Sequence, residues 1–218
     1  DTEIIRNNKE KLDEEGLAQG IFERMYNMFP EDNKHRLTIQ YRMHPTIGTL
    51  ISHVFYNDEI QNGVEAQDRE LCIEGYEGIA IEWISTSKYS IKERYEKEFD
   101  NNGKKSYQNY LERNIIERKL LELDSKLVKR TKVAVITGYG SQKYILQTMV
   151  KQHSFKHIEV DVDTVDAFQG SQKDIILYST VRSSGNKYGI GFLKSEARIN
   201  VAFSRARELL VVVGDHQC

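Results

Sequence analysis

Apolar positions in the last ninety residues fall into short unbroken runs separated by amphipathic stretches. The runs are KVAVITG, IEVDVDTV, KDIILYSTV and ELLVVVGD. SQKYILQTMVKQH, with helical spacing, follows the first, and SEARINVAFSRA precedes the last. Continuous Val/Ile runs predict strands buried on both faces, and helices between them predict a parallel sheet. Ligands of such sheets sit beyond the carboxyl ends of the strands. The positions to inspect are therefore Thr137–Gly138, Thr164 to Gly170, Val181–Arg182 and Gly214–Asp215.

The first half is less regular. Leu17, Ile21, Met25 and Met28 recur at helical spacing and predict a helical lead-in over residues 1–30, ending near Pro30. RLTIQY predicts a short strand, and HPTIGTLISHVFY predicts a helix with Pro45 near its start. GIAIEWIS predicts a strand in which Ile79, Ile81 and Trp83 alternate with Ala80, Glu82 and Ile84. Residues 85–105 are dense in charge and poor in aliphatics. They predict a solvated charged insertion or loop, with a nucleic-acid contact as the alternative. A long amphipathic helix follows over about 109–127, with Leu111, Ile115, Leu120 and Leu123 on its apolar side. The whole is expected to be a single α/β domain.

Charge changes this picture little. The 218 residues carry 31 Lys and Arg against 33 Asp and Glu, a formal net charge of -2. That balance argues against a generally basic coat and leaves local patches open. No apolar run approaches the ~20 residues that span a bilayer, so no membrane partner is expected, and DTEIIRNNKEK is no signal peptide. Cys72 and Cys218 stand alone in sequence, which fits a reducing cytoplasm (or a nucleus, in a eukaryote). The abrupt ends read as those of a piece of something larger.

The arginines before the last strand are the odd feature, because guanidinium groups resist burial. On a helix turning about 100° per residue, Ile199, Phe203 and Ala206 form the stripe that meets the sheet. Arg198, Ala202 and Arg205 share a neighbouring face and would make a row of donors. Arg207 is expected at the helix end, where a cation favours the dipole. Taken alone, Arg205 reads by default as a solvated salt bridge to Glu196 or Glu208, with an anion ligand as the alternative.

Three segments decide between those readings. LTIQYRMHPTIGTLISHVFY, VDTVDAFQGSQKDIILYSTVRS and GIGFLKSEARINVAFSRARELLVVVGD occur in this order. Together they resemble the later motifs of superfamily 1 helicases of the Upf-like group, from about Gly20 to Asp215. The resemblance implies the second of two RecA-like domains, a mostly parallel β-sheet with helices on both faces. It implies ATP bound in a cleft between the two domains and single-stranded DNA or RNA lying across both, with 5′-to-3′ movement. The N-terminal RecA-like domain of the same protein would supply the P-loop and the carboxylates that hold Mg2+. This sequence contains no G-x-x-x-x-G-K-[ST] and no DE-type strand end before QYRMHP. The chain alone is therefore expected not to hydrolyse ATP.

Position by position, the resemblance puts Gln40 and Tyr41 at the nucleotide, with Tyr41 stacked on the adenine face. Arg42 and Arg205 would reach the γ-phosphate as catalytic arginines, suited to it by their planar fork and permanent charge. Gly170 would allow close backbone approach to the nucleotide. Gln172 stands where the family commonly has a glutamate contacting the nucleotide. It retains size and one acceptor but no charge, which keeps open a RecA-like module that binds without hydrolysing. On the nucleic-acid side, Thr164, Arg182 and Ser183 are the implied phosphate contacts. Against these stand a local cap for Thr164 and a solvated loop arginine for Arg182.

Asp161, Asp163 and Asp166 lack an identifiable third ligand, and His153 and His157 lack a supporting framework, so no metal site is assigned. His44 reads as structural.

Overall fold

The computed structural model describes residues 21–71, 73–101, 104–168, 170–184 and 189–217. Leu17, Cys72 and Cys218 lie outside the described residues. The chain forms two compact units, residues 1–37 and 38–218. In the described part of the first, helix α1 (Ile21–Met28) is followed by a short 3-10 turn, Glu31–Asn33.

The second unit is built on five strands, β3 (Ile81–Ser85), β6 (Thr131–Thr137), β7 (Ile158–Thr164), β8 (Lys173–Ser179) and β9 (Ala206–Gly214). They lie in the order β3-β9-β8-β6-β7, and every pairing is parallel. Because strand side chains alternate in direction, an unbroken apolar run feeds two cores at once. Val133, Val135, Ile175, Leu177, Leu209 and Val211 enter one core, beneath α4 (Tyr110–Lys126) and α5 (Gly140–Val150). Ala134, Ile136, Ile176, Tyr178, Leu210 and Val212 enter the other, with Ile47 and Ile51 of α2 (Pro45–Phe55) and Ala202 of α6 (Glu196–Phe203). This is the RecA-like α/β architecture that the sequence predicts.

The termini of the helices follow from their residues. Asn109 caps α4 by accepting the Glu112 N–H, and His44 caps α2 by accepting the Thr46 N–H on Nδ1 at 3.1 Å. Burial holds His44 below the usual histidine range, against a smaller opposing effect of Glu70, so its ring stays neutral and keeps an acceptor. The RLTIQY strand is only β1 (Ile39–Gln40), paired in parallel with β2 (Gln61–Asn62). The charged stretch is folded. It contains a helical turn, α3 (Ile91–Arg94), and an antiparallel hairpin of β4 (Lys97–Asn101) and β5 (Lys104–Gln108).

The arginine segment departs from the expected helix. α6 ends at Phe203, and Arg205 lies in the turn before β9, because the Lys173 N–H takes the Arg205 carbonyl at 3.1 Å and draws that residue beside β8. The row of Arg198 and Arg205 on one helical face does not form. Arg198 instead pairs with Asp166 at 3.2 Å and lies over the Phe192 ring. Arg207 is on β9, not at a helix end, and pairs with Asp174 at 3.1 Å. Neither Glu196 nor Glu208 pairs with Arg205 among the described residues.

Candidate functional site

The loop between β1 and α2 is held by its own first residue. The Gln40 side chain accepts the main-chain N–H of Arg42 at 2.9 Å and of Met43 at 2.8 Å. Its amide donates to the Met43 carbonyl at 3.0 Å and to Asn62 Oδ1 at 2.7 Å. The Gln40 amide is thus engaged in shaping the loop. Arg69 fixes it from outside, donating to the carbonyls of Tyr41 and Arg42, each at 2.9 Å. His44 ties it to the sheet through its N–H and the Arg207 carbonyl, 2.7 Å apart.

The rigid loop presents two side chains. Tyr41 is 63% exposed, and its ring lies so close to Gly63 that a Cβ there would stand 2.3 Å from Tyr41 Cε1. The ring is therefore backed by glycine and open to solvent. Arg42 reaches across to α6 and donates from its guanidinium to the Ser204 carbonyl at 2.9 Å.

That contact brings Arg42 beside Arg205. Arg205 is half-buried, and burial, then the neighbouring charge of Arg42, lower its affinity for its proton. Arginine remains protonated all the same. Its buried Nε has no hydrogen-bond partner among the described residues, and its Nη1 makes only a long contact, 3.4 Å, with the Ser171 carbonyl. No carboxylate pairs with Arg42 or Arg205 among the described residues. Two cations facing each other without a counter-ion repel, and the pair is complementary to an anion.

The Ser171 contact also brings in the loop entering β8. Gly170 has φ +93°, and an added Cβ would meet nothing within 4 Å, so open space lies over it. Gln172 is exposed. Tyr41, Arg42, Gly170, Gln172 and Arg205 are thus associated with segments that enter or contact the amino ends of β8 and β9. The carboxyl-end rule pointed to Gly170, in the segment after β7, and to none of the other four. It describes a sheet that cradles its own ligand, whereas these groups sit on the segments leading into the strands.

The other three sequence-predicted residues lie at the carboxyl ends. Thr164 closes β7, half-buried, with its N–H on Asp163 Oδ1 at 2.8 Å. The Arg182 side chain is only 2% exposed, lies 2.8 Å from Glu96, and sits over the Tyr107 ring with 4.1 Å to the centroid. The Ser183 N–H donates to Glu96 Oε2 at 2.9 Å, and its hydroxyl donates to the Arg94 carbonyl. Thr164 stands at the rim, and Arg182 and Ser183 are engaged beneath it.

Sequence reasoning passed over Glu112. This carboxyl is fully buried in α4 and accepts from Ser179 Oγ at 2.6 Å, Thr180 Oγ1 at 3.1 Å and the Val181 N–H at 2.9 and 3.0 Å. Burial pushes it up to about 7, although those hydrogen bonds favour its ionised form. A signal was present: Glu112, Ile115, Ile116, Lys119 and Leu123 share one helical stripe, so a charge stands in line with core residues. No group of three or more His, Cys, Asp or Glu is placed to hold a metal ion among the described residues. No helix among them is long and apolar enough to cross a membrane.

Comparison with known proteins supplies the context. A family described as AAA domain matches residues 17–217. The chain is 36% identical over 205 residues to the Regulator of nonsense transcripts 1 homolog of Neurospora crassa, covering 92% of this chain and 18% of that protein. It is 35% identical over 214 residues to the ATP-dependent helicase NAM7 of Saccharomyces cerevisiae, covering 94% and 21%. It is 32% identical over 212 residues to the 5′-3′ DNA helicase ZGRF1 of Mus musculus, covering 94% and 10%. The chain thus spans about a fifth or less of these relatives.

Proposed function

The chain belongs to the Upf-like superfamily 1 helicases within the AAA domain family, and from that premise we propose that it is the second motor domain of an ATP-dependent helicase. Its role is to complete an ATP site whose P-loop lies on an N-terminal RecA-like domain of the same protein. The observation that carries this reading is the meeting of Arg42 and Arg205 with no carboxylate paired to either among the described residues.

In this reading both guanidiniums close on the γ-phosphate of ATP when the two domains come together. Phosphoryl transfer spreads charge over equatorial oxygens, and an arginine delivered there contributes about 10³–10⁵ in rate. Tyr41 offers a flat apolar face to the adenine, with Gly63 behind it. Gly170 and Gln172 line the nucleotide's other side, and Gln40 acts by shaping the loop that carries Tyr41 and Arg42. Mg2+ belongs with the carboxylates of the partner domain, and no step is assigned to it on this chain.

Single-stranded DNA or RNA lies at the opposite end of the sheet, along the rim near Thr164 and the turn after β8. Thr164 donates to a phosphate, while Arg182 and Ser183 hold the turn that borders it. Such contacts grip a backbone without reading sequence. Domain closure around ATP and reopening after hydrolysis then change the grip on the strand.

The test compares the chain alone with the chain joined to its upstream domain. The chain alone is expected to release no phosphate from ATP, and the joined form to hydrolyse ATP faster with single-stranded nucleic acid. Hydrolysis by the chain alone, or none by the joined form, contradicts the reading.

A further inference from the structure

At the carboxyl end of β8 the backbone takes a conformation that its residue disfavours. Val181 has φ +70°. A β-branched residue in the left-handed region is strained and persists only where its surroundings over-determine it. Here they do so through Glu112. Both oxygens of that carboxyl accept the Val181 N–H, and Asn109 Nδ2 donates to the Val181 carbonyl at 3.1 Å. Thr180 is wedged on its other side by β9, since a Cβ on Gly214 would stand 2.0 Å from Thr180 Oγ1.

The partners of Glu112 also fix its charge state in the clamp. Ser179 Oγ accepts from Gln142 Nε2 at 3.1 Å, so its single proton is directed at Glu112. The Val181 N–H can only donate. A carboxyl proton would therefore compete with groups that are themselves donating, and the ionised form alone fits the whole set. No cation pairs with it among the described residues. The groups bearing on its titration are Glu96, which is paired with Arg182, and the Tyr178 hydroxyl. α5 presents the neutral Gln142, and at the end of β9 Asp215 is paired with Arg94.

We propose that Glu112 is a positioning residue for the nucleic-acid rim, holding the strained Val181 turn so that residues 182–184 border the bound strand correctly. The proposal rests on the reading of that rim given above. Glu112 itself touches no nucleic acid. Its carboxylate makes a conformation available that valine would otherwise leave. The clamp is complete when the group is ionised and is lost as pH falls through about 7.

The test uses the full protein with its upstream domain and a fluorescent single-stranded oligonucleotide, titrated by anisotropy from pH 6 to 8.5. At pH 8, Glu112→Gln is expected to weaken binding about tenfold, because an amide turns an N–H toward the Val181 donor. Val181→Gly takes positive φ without strain, so adding it to Glu112→Gln is expected to restore the affinity to within about twofold. Saturating oligonucleotide is expected to bring ATP turnover of Glu112→Gln to within about twofold of the parent. The parent is expected to lose affinity below pH 7 relative to the double variant.

Equal affinities for the parent and Glu112→Gln overturn the proposal, as does a weakened single variant that Val181→Gly does not rescue. Where Glu112→Gln does not fold, Val181→Gly alone decides. Its pH profile is expected to be flatter than that of the parent, and identical profiles overturn the clamp. A parent protein that binds no oligonucleotide overturns the rim reading and the proposal together, an outcome distinct from a parent that binds and a variant that matches it.

Discussion

Arg42 donates from its guanidinium to the carbonyl of Ser204 at 2.9 Å, across 162 positions of sequence. This single bond sets the loop after β1 against the turn before β9 and leaves Arg42 and Arg205 facing a common space. A fold under selection for stability alone would place a carboxylate there, since an unpaired, partly buried cation is costly. The described residues provide none. In the function proposed above, an anion carried by a neighbouring domain offsets that cost.

The backing of Tyr41 gives the first prediction. Gly63→Ala places a methyl group 2.3 Å from Tyr41 Cε1, which forces the ring out of its resting position. In the two-domain protein, the KM for ATP is expected to rise several-fold with little change in melting temperature, because Tyr41 is exposed. Tyr41→Ala is expected to do the same and Tyr41→Phe to have little effect, as stacking needs the ring and not the hydroxyl. Steady-state kinetics on the three variants check this.

Burial raises Glu112 to about 7, above the ordinary carboxyl value, so the folded state holds this proton more tightly than the unfolded state. Its contribution to stability is therefore greatest at low pH and declines as pH rises from about 4.5 to about 7, then levels off. At about 1.4 kcal/mol per unit, the decline is on the order of 3 kcal/mol. Urea unfolding between pH 5 and 8 is expected to show that slope in the parent chain and its loss in Glu112→Gln.

The wedge beside Thr180 is a packing prediction. Gly214→Ala directs a methyl group to 2.0 Å from Thr180 Oγ1 and 2.7 Å from Cγ2. Thr180 is held by Glu112 and cannot withdraw freely. Over-packing of this kind costs about 1–3 kcal/mol. Thr180→Ser, which removes the methyl, is expected to recover part of the loss in the same unfolding measurement.

The parallel sheet was legible because its strands are buried on both faces and so carry unbroken Val/Ile runs, and the α4 boundary was legible from Asn109. Of the six residues that resemblance placed at a nucleotide, five gather on segments around the amino ends of β8 and β9, and Gln40 shapes the loop that carries two of them. Gly170 apart, their place on the sheet was not legible, because the carboxyl-end rule does not cover groups carried on the segments entering strands. The end of α6 was missed for a related reason. Helical spacing continues to Ala206, but the sheet claims the Arg205 carbonyl for Lys173, and a main-chain bond to a distant strand leaves no local trace. Neither reading of Arg182, phosphate contact or solvated loop arginine, anticipated its buried ion pair, because the counter-charge, Glu96, lies 86 positions away, on the hairpin side of the chain. The hairpin itself, β4 and β5, is built of polar residues whose alternation in hydropathy is weak.

The most direct test removes one arginine of the pair. In the full protein with its upstream domain, Arg205→Ala is expected to lower nucleic-acid-stimulated ATP turnover by about 10³ or more. Its melting temperature is expected to match or exceed that of the parent, because a half-buried cation beside Arg42 has been relieved. Turnover within about twofold of the parent, measured on a folded variant, would contradict the account.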